Sequence, residues 1–149
     1  MTDLDWTRPE GMDANVARTW RAFYTSIRSN FGVTPAQYRA LYLAQLGRCY
    51  GCWDKRGIHP DDPRGAGVRR LAVDHNHAYG NRIEAVRGLL CSAGDMSCNR
   101  IIGALRDRPE ALERLAHHLR TAPAQTTFRA LADGHSDDQI QGMAYRVMT

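Results

Sequence analysis

Leu71-Ala72-Val73, which leads into Asp74-His75-Asn76-His77, and Ala85-Val86-Arg87-Gly88-Leu89-Leu90 are two short runs separated by a turn that contains Gly80 and Asn81. Runs of this length bounded by turn residues predict a β-hairpin. The hairpin sets the polar tetrapeptide Asp74-His75-Asn76-His77 at the end of its first strand. On a regular strand neighbouring side chains point to opposite faces, so Asp74 and His75 converge only if the chain bends or bulges there. Asp74 offers a hard oxygen ligand of the kind Mg²⁺ prefers, and His75 titrates near neutrality. Together they can hold a cation and activate water. A plain polar turn is the competing reading of the same four residues.

Four cysteines frame this stretch: Cys49-Tyr50-Gly51-Cys52 precede it, and Cys91 and Cys98 follow it. A C-x2-C knuckle with a second pair downstream supplies the four thiolates of a zinc tetrahedron. Ser92 to Ser97 must loop out for Cys98 to reach the same ion. Such a zinc is structural, because four thiolates leave no position for water. Buried free thiols and a redox C-x-x-C are the alternatives. Asn99 directly follows Cys98, so a zinc ligand fixes the position of a second oxygen donor. An ordinary helix cap is the bland role for that Asn.

The surrounding sequence predicts helices. Val16, Trp20, Phe23 and Ile27 recur at helical spacing over residues 13–29. Thr34-Pro35-Ala36-Gln37 reads as an N-cap, a first-turn proline and a capping-box partner, opening a helix that ends near Gly47 with Tyr38 and Tyr42 in the core. Residues 99–106 read as a short helix. Pro109-Glu110 opens another, striped by Leu112, Leu115 and Leu119 and ending before Pro123. A last helix starts at Ser136 with Gln139 closing its box. Residues before Asp13 and between Ala122 and Ser136 are expected to be disordered. The divisions are an N-terminal helical extension (1–33), a zinc-containing domain (34–122) and a C-terminal tail with one helix (123–149).

A chain of 149 residues with 43% hydrophobic and 24% charged content suits one packed domain. Its net charge of +4 favours polyanionic partners without identifying any. Lys55 is the only lysine, so almost every cation is a planar Arg fork suited to bidentate phosphate contacts. The Gly- and Pro-rich stretch from Asp54 to Arg70 carries Arg56, Arg64, Arg69 and Arg70. It reads either as a DNA-contacting arm or as a solvated insertion. No run approaches a membrane span and Met1 to Arg8 lacks a secretory pattern, so the protein reads as soluble and cytoplasmic. His59, His117, His118 and His135 read as surface residues.

In order along the chain, Cys49-Tyr50-Gly51-Cys52, Leu71 to His77, Gly80, Val86 to Cys91 and Cys98-Asn99-Arg100 with Ile102-Gly103 resemble the recombination endonuclease VII family of bacteriophages, within the HNH or His-Me finger nucleases. The resemblance covers about residues 34–120. It implies an α+β fold, a ββα-metal nuclease core with a four-cysteine zinc beside it, flanked by helices. It implies a metal-dependent DNA endonuclease that hydrolyses phosphodiester bonds, with branched-DNA resolution or nicking as candidate reactions. Asp74 and Asn99 would hold a catalytic Mg²⁺ or Mn²⁺, His75 would be the general base, and His77 would support the site or contact phosphate. Arg69, Arg70, Arg87 and Arg100 are the candidate nucleic-acid contacts, DNA is the implied partner, and a homodimer is the assembly to test. Phage origin would place it in the host cytoplasm. A non-catalytic zinc module that binds nucleic acid is the alternative.

Overall fold

The computed structural model describes residues 4–63, 69–80, 82–94, 96–121 and 123–147. The expectations at Arg64, Gly65, Gly67, Asn81 and Ala122 lie outside the described residues. The chain divides into two compact units, Met1–Asp107 and Arg108–Thr149.

In the first unit, helix α1 (Ala14–Phe31) starts where Asp13 accepts hydrogen bonds from the N–H groups of Asn15 and Val16, and it ends at Gly32 in the left-handed conformation. Helix α2 (Pro35–Ala44) carries the expected capping box between Thr34 and Gln37. The two helices meet through aromatic rings. Trp20 stacks on Tyr24 at 5.4 Å between centroids, and Tyr38 meets Phe23 edge-on at 5.0 Å. Trp20, Tyr24 and Tyr38 are essentially inaccessible to water. Ring pairs of this geometry add to the stabilisation from burial alone. The Tyr38 hydroxyl donates to the Leu71 carbonyl at 2.9 Å, which satisfies its one polar atom and ties α2 to the hairpin. Burial, with the nearby Tyr24, raises the pKa of Tyr38, so it stays a hydroxyl donor.

The hairpin is present. Strands β1 (Ala72–His75) and β2 (Val86–Leu90) pair antiparallel, with Ala72 opposite Leu90 and Asp74 opposite Gly88. The register shifts between Asp74 and His75, because His75 pairs with Val86 and Arg87 is left as the extra residue of β2. The irregularity is a β-bulge on the partner strand, opposite the Asp74-His75 step. A two-stranded sheet is marginal alone. Buried Gln45 docks this one: its amide donates to the Leu89 and Arg48 carbonyls and accepts the Leu89 N–H at 2.8 Å. Gly88 is where that amide approaches, since a Cβ there would lie 3.1 Å from Gln45 Oε1.

The expectation of disorder before Asp13 is overturned. Residues 4–12 are held by apolar contacts, with Met12 fully buried and the Trp6 ring 5.6 Å from Tyr24. The Asp54–Pro63 part of the polar stretch also contributes to the core through Ile58 and Pro60.

The second unit contains helices α4 (Pro109–Thr121), α5 (Pro123–Ala132) and α6 (Asp137–Val147). Helix α5 occupies a segment expected to be disordered. Pro123 serves as its first residue rather than as a terminator, a position where the missing N–H costs nothing. Ser136 and Gln139 form the expected capping box at the start of α6. The architecture is mixed: helices with one small antiparallel sheet.

Candidate active site and metal centre

The knuckle Cys49–Cys52, Cys91 at the end of β2, and Cys98 at the start of helix α3 (Cys98–Ala104) converge. Their four Sγ atoms lie within 4.8 Å of one another. A tetrahedron with Zn–S of about 2.3 Å has sulfur–sulfur edges of about 3.8 Å, so the thiols can hold such an ion after small adjustments. The donor set is all sulfur, which suits zinc. The loop from Cys91 to Cys98 does not keep the sulfurs apart.

Backbone N–H groups point at these sulfurs: Cys91 N–H donates to Cys49 Sγ at 3.2 Å, and Cys98 N–H donates to Cys91 Sγ at 3.3 Å. Burial disfavours the Cys49 thiolate, yet the N–H groups of Cys52, Cys91 and Gly51 outweigh it and lower the pKa to about 7. Burial, then the neighbouring sulfurs, push Cys98 upward. One thiol is thus poised to ionise first, and a cation would draw the protons from the rest. Gly51 is required by close approach, because a Cβ there would stand 2.9 Å from Cys98 Sγ.

The second cluster lies at the bulged end of the hairpin. Asp74 is nearly buried, and its carboxylate receives both arms of Arg87, at 2.7 Å from Nε and 2.9 Å from Nη2. Arg87 Nη2 also donates to Asp107 at 3.0 Å. These two carboxylates raise the guanidinium pKa further, so Arg87 carries its charge throughout. Nδ1 of His77 lies 2.9 Å from the other oxygen of Asp107. The His75 ring meets His77 at 4.5 Å and Phe31 at 4.6 Å between centroids. Burial, then His77 and Arg87, lower the His75 pKa, which favours its neutral, proton-accepting form.

Asp107 was not found by reading the sequence. It lies just past α3, where Arg106 and Asp107 both adopt left-handed φ near +55°. Their N–H groups donate to Gly103 and Ile102, the two bonds of a Schellman turn. That turn is ordinarily marked by glycine after the helix. Without the glycine, the only written signal was an acidic residue before Pro109. Burial works against ionisation of Asp107, but Arg87 and His77 outweigh it and hold its pKa below the usual 3.8.

Asn99 sits in the first turn of α3, its N–H donating to the Cys91 carbonyl at 3.2 Å. Among the described residues no hydrogen bond joins it to Asp74. Arg70 is stacked over Trp20 at 4.7 Å and donates to Thr19, while Arg69 is exposed. Arg100 projects from α3 and is exposed. Of the histidines read as surface residues, His59 packs edge-on against Tyr42 and accepts the Asp61 N–H. No helix among the described residues is long and apolar enough to cross a membrane.

Comparison with known proteins agrees with the motif order. Residues 24–121 match the recombination endonuclease VII family. The Gene 59 protein of Mycobacterium phage D29 is 38% identical over 109 residues, covering 72% of this chain and 56% of that protein. The Gene 59 protein of Mycobacterium phage L5 is 35% identical over the same shares. The chain thus spans about half the length of the curated relatives it matches. No solved structure matches it. Both cysteine pairs, the bulged hairpin and Asp107 fall inside the matched residues, and the chain belongs to the recombination endonuclease VII family.

Proposed function

We propose that the protein is a metal-dependent DNA endonuclease in which β1, β2 and α3 form a ββα-metal core of the HNH type. The observation that supports this reading best is the bulged hairpin end, where Asp74, His75 and His77 share one charged cluster inside the family-matched residues. His75 is the general base: its neutral ring accepts the proton of the attacking water. His77, with Nδ1 turned to Asp107, presents Nε2 to the phosphate. The four thiols hold a structural zinc that anchors the start of α3, and with it Asn99, to the end of β2.

Asp74 and Asn99 would hold the catalytic Mg²⁺ or Mn²⁺. One carboxylate and one amide oxygen, completed by water, is a donor set that Mg²⁺ accepts. When bound, such a cation stabilises charge on the phosphate and the departing 3′ oxygen. Arg87 now covers both oxygens of Asp74 and must release them, with Asp107 as its remaining partner. Arg69, Arg70, Arg87 and Arg100 would contact the DNA backbone.

Purified protein with Mg²⁺ or Mn²⁺ should nick or cut supercoiled, linear, single-stranded or four-way branched DNA, and His75→Ala should not. Equal inertness of the two proteins across metals and substrates overturns the reading. The Arg87 fork on Asp74 favours a second one, a zinc module that binds nucleic acid without cutting it. Salt-dependent binding with no cleavage under any divalent cation would establish that alternative.

A further inference from the structure

We propose that a cleft of about 250 Å³ beside the cysteine cluster, lined by Lys55, Arg56, Arg69, Arg70 and Ser92, is a phosphate subsite that receives the DNA backbone at a distance from Asp74 and His75. This inference rests on the nuclease reading for its substrate, but its residues lie outside the proposed catalytic cluster.

Among the described residues, four cationic side chains line the cleft and no acidic one does. Among the described residues no ion pair joins Lys55, Arg56 or Arg69 to a carboxylate. Cations gathered without counter-charges repel one another, and a bound anion relieves that repulsion. The cysteine cluster accounts for only part of the charge: a divalent ion with four thiolates carries a net charge of −2, leaving two of the four cations over.

The Arg70 guanidinium is clamped over Trp20 and Phe23 at 4.7 and 5.3 Å and donates to Thr19, so little of its freedom remains to be lost on binding. The Lys55 carbonyl accepts the Cys49 N–H at 2.8 Å, and Arg56 pairs through its backbone with Arg48. The metal knuckle therefore holds the lysine and arginine that face the cleft.

Leu71 and Cys91 border the cleft at one end of the hairpin, while His75 lies at the other. Four residue steps of strand span roughly 13 Å. At 3.4 Å of helix axis per phosphate on one strand, that is about four nucleotides. A duplex lying along the hairpin would place one phosphate in the cleft and another, about four nucleotides away, against His75.

The test compares wild type with Lys55→Gln/Arg56→Gln, two exposed side chains whose loss leaves the core intact. DNA affinity is measured against salt for a short duplex without added Mg²⁺ or Mn²⁺, alongside zinc content, titration with inorganic phosphate, and cleavage once Mg²⁺ is restored. Each lost phosphate contact lowers the salt slope by about 0.9. The variant should therefore show a slope smaller by about one to two and an affinity lower by on the order of tenfold, with zinc content unchanged. An unchanged slope overturns the subsite, and a fall in zinc content with an unchanged slope assigns the cations to the thiolates instead. Inorganic phosphate binding as tightly as the duplex overturns the assignment to a nucleic-acid backbone. A reduced slope in a protein that cuts nothing retains the subsite and removes the nuclease reading. Cleavage by wild type with no change of slope does the reverse, and no DNA binding by wild type removes both.

Discussion

Nδ1 of His77 and Oδ2 of Asp107 lie 2.9 Å apart, joining the hairpin to the turn that ends α3. The Asp107 side chain is 14% exposed and that of His77 is 66% exposed, so a partly shielded carboxylate orients an imidazole that faces solvent. Partners of this kind fix tautomer and ring angle, and their loss commonly costs 10- to 100-fold in activity at metal sites. Asp107→Asn should lower DNA cleavage by about that factor at unchanged zinc content, with Asp107→Glu recovering part of it. Full activity in Asp107→Asn would refute the role.

His75→Ala should reduce cleavage by roughly 10²- to 10⁴-fold, the usual contribution of a positioned base. Binding to the same duplex should change little. Parallel loss of binding and cleavage would make His75 a contact rather than a base.

Acid should destabilise the first unit partly through Asp107. Its pKa in the fold lies below 3.8, so the stability it contributes is complete above that value and is lost as pH falls through the folded value. Melting temperatures from about pH 5 to pH 2.5 should fall less steeply in Asp107→Asn than in wild type. Identical slopes would mean that the Arg87 and His77 contacts contribute nothing to stability.

Removing the metal from the cysteine cluster should loosen both ends of the hairpin's frame, since Cys91 closes β2 and Cys98 opens α3. Chelation, or Cys91→Ser, should lower the melting temperature sharply, and zinc should restore it in the chelated wild type alone. An unchanged melting temperature after verified metal loss would contradict a structural ion.

The buried rings set the scale for damage to the core. Trp20→Ala removes a side chain stacked with Tyr24 and capped by Arg70, and should cost about 3–5 kcal/mol in denaturant unfolding. A cost under about 1 kcal/mol would show that α1 is not integral to the first unit.

What the sequence disclosed was local. Thr34 with Gln37, and Ser136 with Gln139, announce helix starts because capping is settled within four residues. An irregularity at Asp74-His75 was expected only on the condition that the two side chains converge, and the bulge that occurs there lies on the partner strand. The four cysteines were legible because sulfur chemistry admits few arrangements. Long-range choices were not. That Arg87 would be the extra residue and grip Asp74 depends on which strand absorbs the irregularity, and nothing within a short window decides that. Nothing near Gln45 in the sequence announces that its amide docks the sheet. Pro123 was read as a stop when it is a start, since proline ends one helix and begins another with equal ease.

The bulge at Arg87 also constrains how related chains can vary in length. Side chains alternate along a strand, so gaining or losing one residue just before Gly88 would turn Val86, and everything N-terminal to it that still paired, onto the opposite side of the ribbon. Lengthening the stretch between Cys91 and Cys98 leaves that alternation untouched. Insertions and deletions among relatives should therefore be tolerated in the cysteine loop and purged from the five residues of β2.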